Sequence, residues 1–430
     1  MTTRTKLLLG AGVVVGLLVA GGVVFALTRP PADESHPDVT FRAEPTQSPV
    51  PDIPEPARGS KKKDPLRNFL WASYGYSKDR RRYLPASLLL RPPYWRVWTY
   101  PGSVLTEFPP AMAEGKLFLL KNNGALHAID KRTGKAVWKR KVGALSAASP
   151  AYGNGRVFVT LLARGRHTPG AVAALRAKDG KLLWRRLLPS RSESSPVFDS
   201  DRIYFGSENG TVYCVRAGDG QVRWKFKASG AVKAGLALAD GKLYFGDYSG
   251  RVYAIRQADG GRVWSTGTKG GKFGLRSGQF YSTPAVAYGR VYLGNTDGRM
   301  YSFSSDDGKL AWTKGTGNYV YSSPAVAQVP GGRPTVYFGS YDGNFYAVDA
   351  RSGRVRWKHH DGGKISGGVT VVGDIVYYSN IGKRDTTGLG ARTGREVFHM
   401  GRGAFNPVVS DGRTIFLTGY SSLYALRPKR

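Results

Sequence analysis

The 430-residue sequence predicts an all-β chain: an eight-bladed β-propeller of four-stranded antiparallel blades, preceded by one transmembrane helix and a disordered linker. Three observations lead there. A unit recurs every 40 to 48 residues from residue 98 onward, nearly every unit ends in a tryptophan, and short aromatic or β-branched runs alternate with Gly-containing turns. Repeats of that period mark propellers and solenoids, because one small sheet cannot bury its faces alone. Composition agrees, since 57 glycines and 12% aromatic residues suit many short strands.

The clearest unit spans 321–357 and reads as four strands. Asp342 and Gly343 make a two-residue hairpin turn, where glycine tolerates positive φ, and Ser352 and Gly353 close the next. Such a meander has the size of one propeller blade. Second strands fall at 117–119, 157–159, 203–205, 243–245, 291–293, 336–338, 375–377 and 415–417, which makes eight blades. Fourth strands end in Trp138, Trp184, Trp224, Trp264, Trp312, Trp357 and, in degenerate form, Phe398. The last unit, 403–427, lacks its own fourth strand, and the segment 94–98 with Trp98 is expected to supply it. Closing the ring in this way removes an open sheet edge.

Within each unit a small residue, a glycine six positions on and a tryptophan four beyond recur: Ala128, Gly134 and Trp138, and likewise Ala174/Gly180/Trp184, Ala254/Gly260/Trp264 and Ala347/Gly353/Trp357. Ser302/Gly308/Trp312 and Cys214/Gly220/Trp224 follow the same spacing, so the lone cysteine takes a small-residue slot. This pattern resembles the tryptophan-docking motif of pyrroloquinoline-quinone-repeat propellers, the quinoprotein-like and BamB-like family. The segment Trp71 to Arg82 and Tyr83 is similar to their lead-in, so the resemblance covers about 70–430. It implies that each indole packs between neighbouring blades against a small side chain and a glycine peptide.

The resemblance implies two kinds of function. Quinoprotein dehydrogenases hold their cofactor with a vicinal cysteine pair, a calcium site and a catalytic aspartate. One cysteine cannot form the pair, so no pyrroloquinoline quinone, no metal and no catalytic residue is expected. Asp297 and Asp342 precede glycines and read as turn formers. His359 and His360 lack further ligands nearby in sequence, and the serines before Pro150, Pro196 and Pro324 mark a repeated blade position rather than nucleophiles. BamB-type outer-membrane assembly proteins share the body without a redox centre. The expected function is therefore a non-catalytic scaffold binding a protein partner or an anionic cell-envelope component. A PQQ-dependent oxidoreductase or ligand-sensing propeller is the rival. The chain departs from the BamB type in having no lipoprotein cysteine and in its basic charge.

Residues 7–27 hold no charge and only Gly, Ala, Val, Leu and Phe. At about 1.5 Å per residue, this run is about 30 Å long, the thickness of a bilayer's hydrocarbon core. Arg4 and Lys6 precede it, so residues 1–6 are expected to stay cytoplasmic and the propeller to lie outside as part of a single-pass membrane protein. A cleavable signal peptide ending near Ala26 is the alternative, although the run is long for one. Residues 28–65 hold nine prolines between 29 and 65 and read as a disordered spacer holding 66–430 away from the membrane.

The formal charge is +34, from 64 basic and 30 acidic residues. Residues 1–65 carry eight basic and seven acidic side chains, so the folded body is the basic part. Such a body attracts polyanions such as acidic lipids or wall polymers. Nucleic acid is set aside because the predicted compartment holds little of it. A monomer is expected. Three excursions from the repeat are the candidate partner loops: 163–170 with Arg164 and Arg166, 267–282 with Lys269, Lys272 and Arg276, and 381–385 with Lys383 and Arg384.

Overall fold

The computed structural model describes residues 30–44, 64–163, 165, 169–268 and 278–429. Eight four-stranded antiparallel sheets stand around one axis, in the order inner, second, third and outer strand. Blade one shows why. Its strands Ala111–Ala113, Lys116–Leu120, Ala125–Asp130 and Ala136–Lys141 shift from wholly apolar near the axis to basic and exposed at the rim. The inner strands are buried between sheets, whereas the outer strand needs charge to keep its free edge from pairing with other chains.

The eighth blade is assembled from both ends of the body. Val408–Ser410, Ile415–Thr418 and Leu423–Pro428 receive Tyr94–Tyr100 as their outer strand, with Trp98 opposite Ala425. The ring is closed by a strand from the start of the body, where the repeat count places it.

Each tryptophan lies directly across from the small residue of its own blade, as Trp138 does from Ala128 and Trp224 from Cys214. Its ring, however, rests on the glycine of the next blade. A Cβ on Gly180 would stand 2.7 Å from the ring of Trp138, and one on Gly220 2.6 Å from that of Trp184. Both glycines also have φ near +71°, which an L side chain adopts only at a cost. The indole N–H then donates across the seam: Trp98 to Lys131 O (3.2 Å), Trp138 to Ala177 O (3.0 Å), Trp184 to Ala217 O (2.9 Å) and Trp224 to Gln257 O (3.1 Å). Trp264, Trp312 and Trp357 do the same to Ser305, Ala350 and Ala391. The seam between blades seven and eight uses Phe398, which meets Tyr94 edge-on, while Tyr94 Oη bonds Tyr377 Oη at 2.7 Å.

Two segments outside the repeat are ordered on the ring. Residues 71–84 cross the axis as a plug. Their backbone bonds the inner strands of six blades, through Met112, Tyr152, Leu238, Val286, Val326 and Val371. Tyr83–Leu84 adds a short parallel strand to Thr370–Val372.

The second segment corrects the expectation of a disordered spacer over 28–65: residues 30–44 form a strap along blade five. Glu34–Ser35 pairs antiparallel with the outer strand Leu310–Gly315, and Asp33 binds Lys314 Nζ at 2.7 Å and Gly315 N at 2.8 Å. Further on, Phe41 stacks on Tyr288 at 5.2 Å and Glu44 pairs with Arg81. Prolines had suggested looseness, but a free sheet edge and a few acids facing a basic body are enough to dock the chain. Among the described residues no helix is long and apolar enough to cross a membrane. The run 7–27 lies outside them.

The seam makes a paired prediction. Gly180→Ala drives a methyl into Trp138, whereas Gly241→Ala has the same positive φ with nothing within 4 Å. Chemical unfolding should show a loss of about 2–4 kcal/mol for the first and about 1 kcal/mol for the second. Equal losses would mean that the indole contact is slack.

Candidate functional site

Strand direction sorts the connections onto two faces. The hairpins between second and third strands, and the connections between blades, share one face; the remaining turns share the other. On the first face the axis opens as a funnel of about 210 Å³. Its floor is the plug and its wall the inter-blade connections.

The floor is held by arginines. Arg80 is fully buried, and its guanidinium donates to the carbonyls of Leu236 (2.9 Å), Pro196 (3.2 Å), Ser195 (3.3 Å) and Tyr74. Arg82 donates to Arg80 O at 2.9 Å and lies 4.4 Å above the Tyr74 ring. Burial, and then Arg82, push Arg80 down to about 9, so it keeps its proton at neutral pH. Carbonyl oxygens of three segments thus solvate a cation where water cannot, and they fix the plug in place.

The wall follows the repeat. Two residues back from the start of the inner-strand approach stand Glu107, Glu193, Lys233, Tyr281, Tyr321 and Ser366, which line the funnel, while blades two and eight have Ala147 and Ala404 there. The hydroxyls at the approach itself tie connections together: Ser195 Oγ accepts from Ser149 N, Thr283 Oγ1 from Gly235 N and Ser323 Oγ from Thr283 N, each at 3.0 Å. These are the pre-proline positions that recur in the sequence, and they act as seam bonds.

Charge in the wall is paired internally. Lys233 Nζ lies 2.9 Å from Glu193 and 3.1 Å from Glu208, and Arg191 Nε 3.2 Å from Glu208. Tyr281 Oη donates to Glu193 at 3.0 Å. Burial, reinforced by the neighbouring Glu208, raises Glu193 above the usual carboxylate range, and burial beside these acids sends the Tyr281 phenol well above 10. Tyr321 stands 5.0 Å from Tyr341 and 5.8 Å from Tyr281, so phenols form one side of the cup. Glu107, also raised by burial, receives Asn122 Nδ2 at 3.0 Å. Asn406 ties this side to the floor, giving a bond to Glu107 O (2.7 Å) and accepting one from Tyr74 Oη (2.9 Å). Such a cup offers phenol edges and shared protons to a small polar guest.

The sequence-derived loop residues divide. Lys383 pairs with Asp361 at 2.8 Å and Arg384 lies 4.8 Å over the Tyr420 ring, both on the funnel face. Arg164, Arg166, Lys269, Lys272 and Arg276 lie outside the described residues. Cys214 is buried opposite Trp224, and burial lifts its thiol to about 11. His360 bonds Asn344 at 3.0 Å, and among the described residues no three of His, Cys, Asp and Glu converge as metal ligands would. The funnel cluster of Glu193, Glu208, Lys233 and Arg191 carries no reading in the sequence, and the plug is marked there only by its likeness to the family's lead-in. Glu193 and Lys233 occupy a repeat position whose residue type changes from blade to blade, which is the signal the sequence offers for them.

Closed ring, indole seams and axial funnel define a quinoprotein-like propeller. The chain belongs to the family described as outer membrane protein assembly factor BamB, whose model matches residues 93–231 and 208–430. No curated protein matches the sequence. Among solved structures, BamB from Moraxella catarrhalis is similar at a TM-score of 0.62 and 17% identity, covering 78% of this chain and 98% of that one. A quinohemoprotein alcohol dehydrogenase from Comamonas testosteroni scores 0.65 at 13% identity, over 85% and 81%. The computationally designed protein Ika8 scores 0.63 at 15%, over 77% and 99%. These likenesses show the fold.

The fold is shared with a quinohemoprotein, whose group sets a demand on the funnel. Pyrroloquinoline quinone is planar and carries three carboxylates. The described wall would meet it with Glu107 and Glu193, while its cations, Lys233 and Arg191, already serve Glu193 and Glu208. Cys214 sits in a blade seam, away from the cup. The described residues do not fit the group.

The cluster of Glu193, Glu208, Lys233 and Arg191 predicts a pH-dependent defect. Lys233→Met leaves Glu193 and Glu208 facing each other with only Arg191, costing about 2–3 kcal/mol at neutral pH. A carboxyl whose folded pKa is raised destabilises above that pKa and regains stability as pH falls. The gap between variant and parent in urea midpoint should therefore narrow at mildly acidic pH; a constant gap would mean the lysine is only packing.

Proposed function

We propose that the chain is a non-catalytic scaffold, anchored by residues 7–27 and standing outside the cytoplasm, whose propeller binds a protein partner or an anionic component of the cell envelope. One observation carries this reading: the axis, where a ring protein can hold reactants, is filled by the chain's own plug, and the acids and bases above it are spent on one another. Arg80 and Arg82 occupy the centre, and Lys233 joins two carboxylates that also face Arg191 or Tyr281. What remains on offer is surface. Family membership supports the same reading.

The rim supports the anionic alternative. Outer strands expose Lys139, Arg140, Lys141, Arg185, Lys225 and Lys358, so an approaching polyanion meets cations on several blades.

Two measurements test the proposal. The purified full chain should show no stoichiometric quinone absorbance and no calcium-dependent dye reduction; a bound quinone with turnover would overturn it. Affinity capture from the envelope membranes of the source cells should return a defined protein or polymer, released by salt if charge dominates.

A further inference from the structure

Resting on the anchored reading above, we propose that the strap holds the propeller against the bilayer with its funnel face toward anionic head groups. Two independent observations point this way.

The first is the length of chain. The strap meets the ring at the funnel-face end of blade five's outer strand, where Pro31 O packs on Gly315 and Asp33 clasps Lys314. From Leu27, the last residue of the apolar run, only four residues lead to Pro31, a reach of about 14 Å at full extension. The other end of that strand, near Leu310, is farther by about 17–20 Å. A propeller resting on its opposite face would need more chain than exists. Without the docked strap, the 37 residues from 28 to 64 could span on the order of 100 Å, so docking is what sets the distance.

The second is the placement of exposed acids. Asp201, Asp219, Asp240, Asp259, Asp306 and Asp307 are exposed in the turns of the opposite face, as is Glu396 at the same end of blade seven. On the funnel face the carboxylates of the described blades are withdrawn. Asp247 and Asp297 are fully buried, Asp247 accepting from Gly230 N and Ser249 Oγ and Asp297 from Tyr301 Oη, while Glu193, Glu208, Asp342 and Asp361 are partly buried in bonds of their own. Exposed cations remain there, namely Lys141, Lys227, Lys364, Lys383, Arg384 and Arg402. Cations occur on both faces, but within the described blades the exposed carboxylates lie on the opposite face, and the exposed Asp33 of the strap at the funnel end is already paired with Lys314. An anionic surface is therefore repelled least from the funnel side.

The test uses the full chain in vesicles of mixed phosphatidylglycerol and phosphatidylcholine containing a head-group acceptor dye. A donor dye is placed on Asn318→Cys, exposed on the funnel face, or on Lys309→Cys, exposed at the other end of blade five, both in a Cys214→Ala background. Energy transfer from the first should exceed the second by at least about twofold, given a separation along the strand of about 20 Å. Asp33→Lys with Glu34→Lys, which undocks the strap, should lower both and erase the difference. Replacing phosphatidylglycerol by phosphatidylcholine, or raising salt, should shrink it partially, because the tether persists. Equal transfer from the two sites in the parent chain, or the reverse order, overturns the inference while leaving the anchor intact. Failure of the chain to float with vesicles overturns the anchor itself, and the inference with it.

Discussion

The contact of one indole with the next blade's glycine underlies the whole body. Each of seven tryptophans spans a seam, hydrogen-bonding a carbonyl of the neighbouring sheet while its ring covers a peptide that has no side chain. The arrangement is a relay: the small residue of a motif makes room for its own tryptophan, and the glycine makes room for the previous one. Both must stay small for unrelated reasons, one across a strand pair and one across a seam. That is why Cys214 and Ser302 are tolerated in the first slot, whereas glycine alone fills the second, with its positive φ.

A ring built from such seams has to end somewhere, and the last seam is built differently from the others. Phe398 and Tyr94 take the place of indole and glycine there, and the outer strand of blade eight comes from the far end of the body. The plug crosses next to this seam and bonds blades on both sides of the ring, including blades one and seven. It therefore ties the closing region to the rest of the ring from within, where Trp71 and Leu84 share one buried cluster with blades seven and eight.

Blade number, ring closure and the fate of the cysteine were legible in the sequence because each depends on a pattern repeated at fixed spacing. The plug and strap were not, because each occurs once. The segment holding Arg80, Arg81 and Arg82 reads from the sequence only as similar to the family's lead-in, yet two of these arginines are buried under carbonyls and the third pairs with Asp79 and Glu44. The cue was present in the neighbours: Trp71, Tyr74, Tyr76 and Tyr83 crowd an arginine run, a composition unusual for exposed chain. Residues 30–44 read as spacer because their prolines are visible in the sequence, whereas the sheet edge that receives them is a property of the folded ring. Blade five's outer strand carries a single lysine, and Trp312 is fully buried beneath the strap while Trp138 and Trp264 keep some exposure.

Symmetry and function are divided between layers of the same blade. Seam residues must repeat, since every blade faces the same neighbour geometry. The axial position of each connection faces the other seven instead of a neighbour, and no packing rule constrains it to one type. Glu107, Glu193, Lys233, Tyr281, Tyr321 and Ser366 occupy equivalent places, yet they differ in charge and size. A repeat protein acquires a particular chemistry by varying this ring while leaving the seams alone. Here the variation brings acids beside bases and phenols, as Lys233 and Tyr281 stand beside Glu193, and exposed lysines and arginines are carried on the rim and faces.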